Sequence, residues 1–335
     1  MNRPFASGQT HPYRFSVAPM MAWTDRHCRF FLRLITKSAR LYTEMVPMNA
    51  LLKGSQERFL NFNTAEHPVA LQLGGSDPSG LAQAARIAER WGYDEVNLNV
   101  GCPSPRVTNG HFGACLMAEP VLVEECVAAI VDAVSVSVTV KCRTGIDEMD
   151  TEGPLNTFIS RIAQAGCKTV IIHARKAWLK GLSPEENRTL PPLDYGRVYR
   201  LKEEFPELSI VINGGINDIT EAEAHLQHVD GVMIGRAAYE TPYVLADVDH
   251  RLFGHDYAIP SRIEIAQQYA NYCQAELDRG TALHHLTKHI LGLFKGCPGA
   301  RAWRRYLSTN ACKIDAQASI IYDALNFVED ESKVA

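Results

Sequence analysis

Short apolar runs rich in β-branched residues recur along the chain at 15–20, 41–46, 69–73, 95–100, 138–143, 169–174, 210–215 and 231–236. Runs of this length, separated by segments of helical periodicity, predict strands that alternate with helices. Helices are expected at 78–91, 120–134 and 156–165, each leading closely into the next run. Eight such units within about 230 residues match the size of a (β/α)8 barrel, the TIM barrel. The other all-parallel solution, an open doubly wound sheet, gathers its ligand groups at a single switch point. Here nearly every run ends in residues capable of chemistry: Pro19, Met20 and Met21, then Gln72, Asn97 and Asn99, Lys141 and Arg143, His173 and Arg175, Asn213, and Arg236. A closed barrel brings all of those ends to one mouth, which favours it over the open sheet.

After about residue 245 the strand pattern stops. Ser261 and Glu264 form a capping box, after which Ala266, Tyr269, Ala270, Cys273 and Leu277 share one helical face and Gly280 ends the helix. A second helix is predicted over 283–295, with Leu283, Leu286, Ile290 and Leu293 on one side and His284, Lys288 and Lys295 roughly opposite. Residues 1–248 are therefore expected to form the barrel and 249–335 a C-terminal helical domain.

Composition adds a core and an asymmetry. With 46% hydrophobic and 21% charged residues, the 335-residue chain has the make-up of a packed protein, not a disordered one. Its net charge of −4 excludes a polybasic binder as a whole but conceals a basic tail. Between residue 278 and Asp315 there is no acid, while Arg279, Lys288, Lys295, Arg301, Arg304, Arg305 and Lys313 accumulate. Around Trp303, Tyr306 and Leu307 the three arginines fall on the opposite helical face. A charge run is usually just a solvated face, but missing counter-charges point to a polyanion. Nine cysteines, an odd number without a C-x-x-C pair, fit reduced thiols rather than a disulfide framework or a zinc signature. No secretory or membrane-spanning segment is visible, so a cytoplasmic protein is expected. No coiled-coil signal asks for a partner, and a monomer is expected.

The candidate chemistry sits at the strand ends. Asn99 and Cys102 enter a loop made rigid by Gly101 and Pro103, with Gly110, Gly113 and Ala114 downstream permitting close backbone approach. An isolated cysteine is more often a small buried thiol, but this setting exposes it to the mouth. Lys141 ends an apolar run, where a desolvated ammonium needs an anion, either a ligand or a structural partner such as Glu44. His173 alone would be weak evidence, since a hydrogen-bonded core histidine explains it equally well. Asn213, Gly214 and Gly215 on the seventh run, with Gly235 and Arg236 on the eighth, have the makings of a phosphate cradle where barrels commonly bind phosphate. The loop 175–194 is long and carries Arg175, Lys176, Trp178, Lys180, Asn187 and Arg188, which marks it as functional.

In this combination and order, Ala18-Pro19-Met20-Met21, Asn97-x-Asn99-x-Gly101-Cys102-Pro103 with Gly110 and Gly113-Ala114, Lys141-Cys142-Arg143, His173-Ala174-Arg175, Asn213-Gly214-Gly215 and Gly235-Arg236 resemble the tRNA-dihydrouridine synthases across nearly the whole chain. Segments 175–188 and 292–307 resemble the A type. The resemblance implies an FMN enzyme that takes hydride from NADPH and reduces the 5,6 double bond of uridine in the tRNA D-loop, at positions 20 and 20a. By position, it implies flavin contacts through the backbone of Pro19, Met20 and Met21. Gln72 would meet the pyrimidine edge, and Lys141 the edge that becomes anionic on reduction. His173 would also bind the cofactor, with Asn213, Gly214, Gly215, Gly235 and Arg236 at its phosphate. Cys102 would be the proton donor. Contacts to tRNA are expected from Asn99, Arg175, Asn187, Arg188, Arg301 and Arg304. The main alternative is an FMN barrel reducing a free small molecule, similar to dihydroorotate dehydrogenases or ene-reductases, which explains the pocket but leaves the basic tail unused. A tRNA-binding chaperone with an inert barrel is a third reading.

Overall fold

The computed structural model describes residues 11–328; residues 1–10 and 329–335, which belong to the two expected domains, lie outside the described part. Eight strands, β1 (Phe15–Val17), β2 (Arg40–Pro47), β3 (Val69–Gly74), β4 (Glu95–Val100), β5 (Ser137–Arg143), β6 (Thr169–His173), β7 (Ser209–Asn213) and β8 (Gly231–Ile234), close into one barrel. Every pairing is parallel, and β8 returns to β1 through Phe15 opposite Val232 and Val17 opposite Ile234. The expected TIM barrel is the observed fold. Several expected strands end early, so that Met20, Ala174 and Gly215 stand in loops above the ring and Arg236 opens the short helix Arg236–Glu240.

Alternation along the strands separates two apolar layers. On β4, Val96, Leu98 and Val100 face outward and are fully buried in the large core between strands and helices. A small inner cluster, including Tyr42, Ala70, Ile171, Val211 and Met233, fills part of the barrel interior. The helix Pro78–Trp91 shows why the outer layer forms: Asp77 caps the Gly80 N–H, Pro78 opens the helix, and Leu81, Ala84, Ala85 and Ala88 bury one face. Gly92 then ends it in the left-handed region at φ +93°.

The region after the last strand is helical. The capping box at Ser261 and Glu264 opens the helix Arg262–Asp278, and Gly280 follows its end at φ +90°. This helix packs on Arg26–Ile35 of the barrel, with Tyr272 stacked on Phe30 at 3.9 Å between ring centroids. The helix Ala300–Asn310 buries Trp303 and Leu307 and leaves Arg301, Arg304 and Arg305 exposed, as its pattern predicts. The helix expected over 283–295 is a correction: only Leu283–Thr287 is α-helical. Its apolar positions Leu286, Ile290 and Leu293 are still buried, but the backbone continues in tighter turns, with His289 N–H donating to Leu286 O and Leu293 N–H to Ile290 O. Gly292 lies so close to the Glu240 carbonyl that a Cβ there would stand 2.6 Å from its oxygen, and that contact sets the local path. No helix among the described residues is long and apolar enough to cross a membrane.

One polar junction ties this region to the barrel. Asp25 caps the helix Arg26–Ile35 by accepting from the His27 and Cys28 N–H groups, and its carboxylate also meets His289 Nε2 at 2.9 Å and Lys288 Nζ at 3.2 Å. Burial pushes the Asp25 carboxyl up, but hydrogen bonding to His289, the Cys28 amide and the Lys288 charge outweigh it and hold it well below the usual range. His289 in turn pairs with the Tyr239 hydroxyl at 3.2 Å, and Tyr239 stacks on Trp23 at 4.4 Å. Asp25→Ala is expected to lower the unfolding free energy by about 2–3 kcal/mol, and Asp25→Asn by less because its amide oxygen can still cap the helix. Because the folded-state pKa is depressed, the ionic part of this stability is present above about pH 4, the unfolded value, and is lost as pH falls below it. Denaturant titrations at pH 7 and pH 3.5 check this: the gap between wild type and Asp25→Asn should narrow at the lower pH.

Candidate active site

At the C-terminal mouth of the barrel the strand ends surround a cavity of about 440 Å³. Its wall includes Pro19, Met20, Met21, Gln72, Asn99, Cys102, Lys141, His173, Arg188, Asn213, Gly214, Gly215, Gly235 and Arg236. The expected catalytic and cofactor residues are thus brought together from seven of the eight strand ends. Asn187, Arg175, Arg301 and Arg304 are not in this wall.

Why Cys102 faces the cavity follows from a chain of amides that climbs the barrel interior. Glu95, at the base of β4, accepts from the Thr139 hydroxyl, which accepts from Asn97 Nδ2 at 2.7 Å. Asn97 Oδ1 accepts from Gln72 Nε2 at 2.7 Å, and Gln72 Oε1 accepts from Asn99 Nδ2 at 2.8 Å. Asn99 Oδ1 then takes the Gly101 and Cys102 N–H groups at 3.1 and 3.0 Å. The chain has only one consistent polarity, because a carboxylate at the bottom only accepts and backbone N–H groups at the top only donate. Downstream, Ala114 N–H donates to the Cys102 carbonyl at 2.9 Å. Gly113, at φ +75°, is required there: a Cβ would stand 2.6 Å from that same carbonyl oxygen. The thiol is held from both sides, and burial pushes its pKa up against the opposing pull of the Ser104 amide, Arg143, Arg188 and Lys141.

Across the cavity, Lys141 Nζ donates to Asn213 Oδ1 at 3.0 Å, and Asn213 Nδ2 donates to the Met233 carbonyl at 2.7 Å. Glu44, the structural partner weighed for this lysine, is engaged elsewhere: its Oε1 accepts from the Ala22 N–H at 2.5 Å, in a turn where Ala22 has φ +64°. Among the described residues Lys141 therefore has a neutral hydrogen-bond partner and no carboxylate, and burial, helped by Arg143, lowers its pKa to about 8. His173 is held well below the usual imidazole value by burial and by the surrounding cations Arg143, Lys141, Arg175 and Arg188, so it is neutral at pH 7. Gly214, at φ +114°, packs against its ring, where a Cβ would approach His173 Cδ2 to 2.4 Å. A Cβ at Gly235 would make ordinary contact with Ala18 Cβ at 3.8 Å and Met20 Sδ at 3.9 Å, and both Gly235 and Arg236 line the cavity.

The loop 175–194 differs from expectation at two residues. Asn187 is fully buried and its amide is spent on the loop itself: Oδ1 accepts from the Trp178 N–H at 2.7 Å, and Nδ2 donates to the carbonyls of Trp178, Leu182 and Ser183. It shapes the loop and does not present a side chain to a partner. Arg175 folds back onto the carbonyls of Thr189 and Pro191. Arg188, in contrast, is exposed and lines the cavity. Asn99 does line it, although its carbonyl oxygen is committed to the Cys102 loop.

A second cleft of about 1160 Å³ adjoins the first, sharing Met21, Met45, Cys102 and Ser104 with it. Helices of the barrel part give it Arg26, Arg58 and Arg106, and the C-terminal helical region gives it His285 and Lys288. Isolated arginines at 58 and 106 carry no periodic or motif signal in the sequence; only the fold places them beside the lysine of the tail. No group of three or more metal-ligating side chains occurs among the described residues.

The pKa of Lys141 makes a stability prediction. Its folded value lies below the usual lysine value of about 10.4, so protein stripped of any bound group should gain stability as pH rises from about 8 to about 10. Lys141→Met should lack that gain and be the more stable chain at pH 7, as thermal melts across that pH range would show.

The comparisons with known proteins agree with one another. The family described as dihydrouridine synthase matches residues 16–329. The chain is 55% identical to the tRNA-dihydrouridine(20/20a) synthase of Vibrio parahaemolyticus over 97% of this chain and 100% of the relative. It is 56% identical to the protein of that name in Escherichia coli (strain K12), over 95% of this chain and 92% of the relative. Among solved structures, 2-naphthoyl-CoA reductase in complex with 2-naphthoyl-CoA aligns with a TM-score of 0.54 at 12% identity, a likeness of fold. That alignment covers 70% of this chain and 49% of the other.

Proposed function

Because the chain belongs to the dihydrouridine synthase family, we propose that it reduces the 5,6 double bond of uridine in tRNA to dihydrouridine, with FMN as resident cofactor and NADPH as reductant. The name its relatives carry directs this reading to positions 20 and 20a of the D-loop. The observation that carries it is the pairing, on one cavity, of a thiol kept protonated with a half-buried ammonium that has no carboxylate partner among the described residues.

The residues fit FMN. Asn213, Gly214, Gly215, Gly235 and Arg236, all lining the cavity, would hold its phosphate, with the Arg236 cation among them. The backbone of Pro19, Met20 and Met21 with Gln72, Lys141 and His173 would hold the ring. Bound there, a reduced flavin supplies the hydride. Lys141 would give up its desolvation cost by meeting an anionic cofactor edge, which is why a lysine without a carboxylate is tolerated at this position. Hydride addition at carbon 6 of uracil leaves negative charge at carbon 5, and the Cys102 thiol would deliver the proton there. With its pKa pushed above the ordinary thiol value, Cys102 carries its proton at neutral pH.

A base that reaches the cavity must first leave its stack, at a cost of a few kcal/mol that distant phosphate contacts can offset. Arg58 and Arg106 in the second cleft and the exposed face of Arg301 and Arg304 offer cations for that purpose, and neither Arg301 nor Arg304 has an ion-pair partner among the described residues. Arg188 and Asn99 would touch the substrate at the cavity itself, and the helical region within 249–335 would serve as the RNA-docking unit. The reaction would then take place in the cytoplasm, alongside tRNA. A chain acting on a free small molecule has no use for these surfaces.

Incubating the protein with FMN, NADPH and tRNA lacking dihydrouridine should yield dihydrouridine in the tRNA and little from free uridine; reduction of the free nucleoside alone would favour the small-molecule reading. In the same assay Cys102→Ala should retain flavin absorbance and its bleaching by NADPH yet lose product formation by about 10²-fold or more. Arg301→Glu combined with Arg304→Glu should weaken tRNA binding by roughly ten-fold or more and reduce its logarithmic salt slope by about 2, leaving NADPH oxidation by the flavin intact. Filter binding at several salt concentrations measures both.

A further inference from the structure

We propose that Arg143 is a positioning residue that sets the Cys102 loop and the Arg188 loop as one unit. This rests on the reading of Cys102 as proton donor, but its physical basis is independent of it. Arg143 ends β5, is 3% exposed, and spreads its guanidinium over three backbone carbonyls from two different loops. Nε donates to Gly101 O at 3.0 Å, and Nη1 donates to Lys176 O at 3.0 Å and to Asn187 O at 2.9 Å. Two of those carbonyls belong to residues beside ones that the proposed chemistry uses, since Gly101 precedes Cys102 and Asn187 precedes Arg188, while the third, on Lys176, anchors the start of the second loop. One planar cation therefore fixes the backbone next to the thiol and next to the arginine of the cavity wall.

Arginine is the side chain this junction demands. Its N–H groups lie in one plane on a rigid fork, so Nε can serve one loop while Nη1 serves the other. A lysine brings the same charge on a single nitrogen at the end of a flexible stem. The guanidinium remains charged at neutral pH, since burial lowers its pKa only to about 10. Its hydrogen bonds go to carbonyls and not to a carboxylate, so its positive charge is left to act on the cavity. Of the side-chain cations that oppose the rise of the Cys102 pKa, it acts most strongly. The far end of the tie is itself stiff, because Asn187 spends its whole amide on organising the loop whose carbonyl it offers to Arg143.

The test uses the flavin-loaded enzyme and two variants, Arg143→Lys and Asn187→Ala. It reads the pH-dependent rate of iodoacetamide labelling at Cys102, located by peptide mass spectrometry, together with kcat and KM for tRNA. Arg143→Lys is expected to reduce kcat by about 10²-fold, with flavin content and NADPH oxidation retained, and to shift the labelling profile of Cys102. Asn187→Ala leaves Arg143 in place and changes only the other loop, so a shifted Cys102 profile there would show the tie carrying a change from one loop to the other. If Arg143→Lys fails to fold, Asn187→Ala decides alone. Cys102 labelling as in wild type in the folded variants would overturn the proposal. If wild type leaves tRNA unreduced while the variants still shift Cys102 labelling, the functional reading fails and the coupling stands.

Discussion

A polar group inside a barrel must find a partner inside the barrel, and that constraint organises the site. The interior positions of β3, β4 and β5 carry Gln72, Glu95, Asn97, Asn99 and Thr139, all nearly or fully buried. Left unpaired, each would cost on the order of 1–3 kcal/mol. They pair with one another in a single chain from the Glu95 carboxylate to the Cys102 N–H, and the two ends allow only one direction of hydrogen bonding. The orientation of every amide is thereby fixed, and so is the loop that carries the thiol. Such networks polarise along their length and specify one arrangement more sharply than apolar packing does.

At the barrel floor the same carboxylate faces Arg40 at 3.3 Å and accepts from the Tyr42 hydroxyl at 2.8 Å. Above the mouth, Arg143 continues the logic outward by binding loop carbonyls that the strands cannot reach. The cations around the barrel differ in what they meet. Arg29 and Arg26 pair with the buried carboxylates Glu66 and Glu276. Among the described residues, Lys141 and Arg143 hydrogen-bond to neutral oxygens and to no carboxylate, so their charge is left uncompensated at the mouth.

The helical region reaches the site as well as extending the surface around it. Lys288 lines the second cleft while pairing with Asp25, and His289 leads through Tyr239 to Trp23 in the wall of the first cavity. The second cleft and the turn that shapes the first cavity therefore share one hydrogen-bonded junction.

The sequence by itself determined the barrel, because short apolar β-branched runs spaced by helical segments leave few other ways to bury both faces of parallel strands. It also named the strand-end residues, since closure must bring those ends together, and it located the basic face around Trp303 from periodicity alone. Only the tertiary structure decided who partners whom. Glu44 rather than another acceptor holds the Ala22 turn, Asn187 is an interior brace, and the segment after Thr287 tightens where Gly292 meets Glu240. These outcomes depend on distances between residues far apart in the chain. Local propensity and periodicity carry no information about them, because hydrogen-bond partners in a closed barrel are chosen by the geometry of closure.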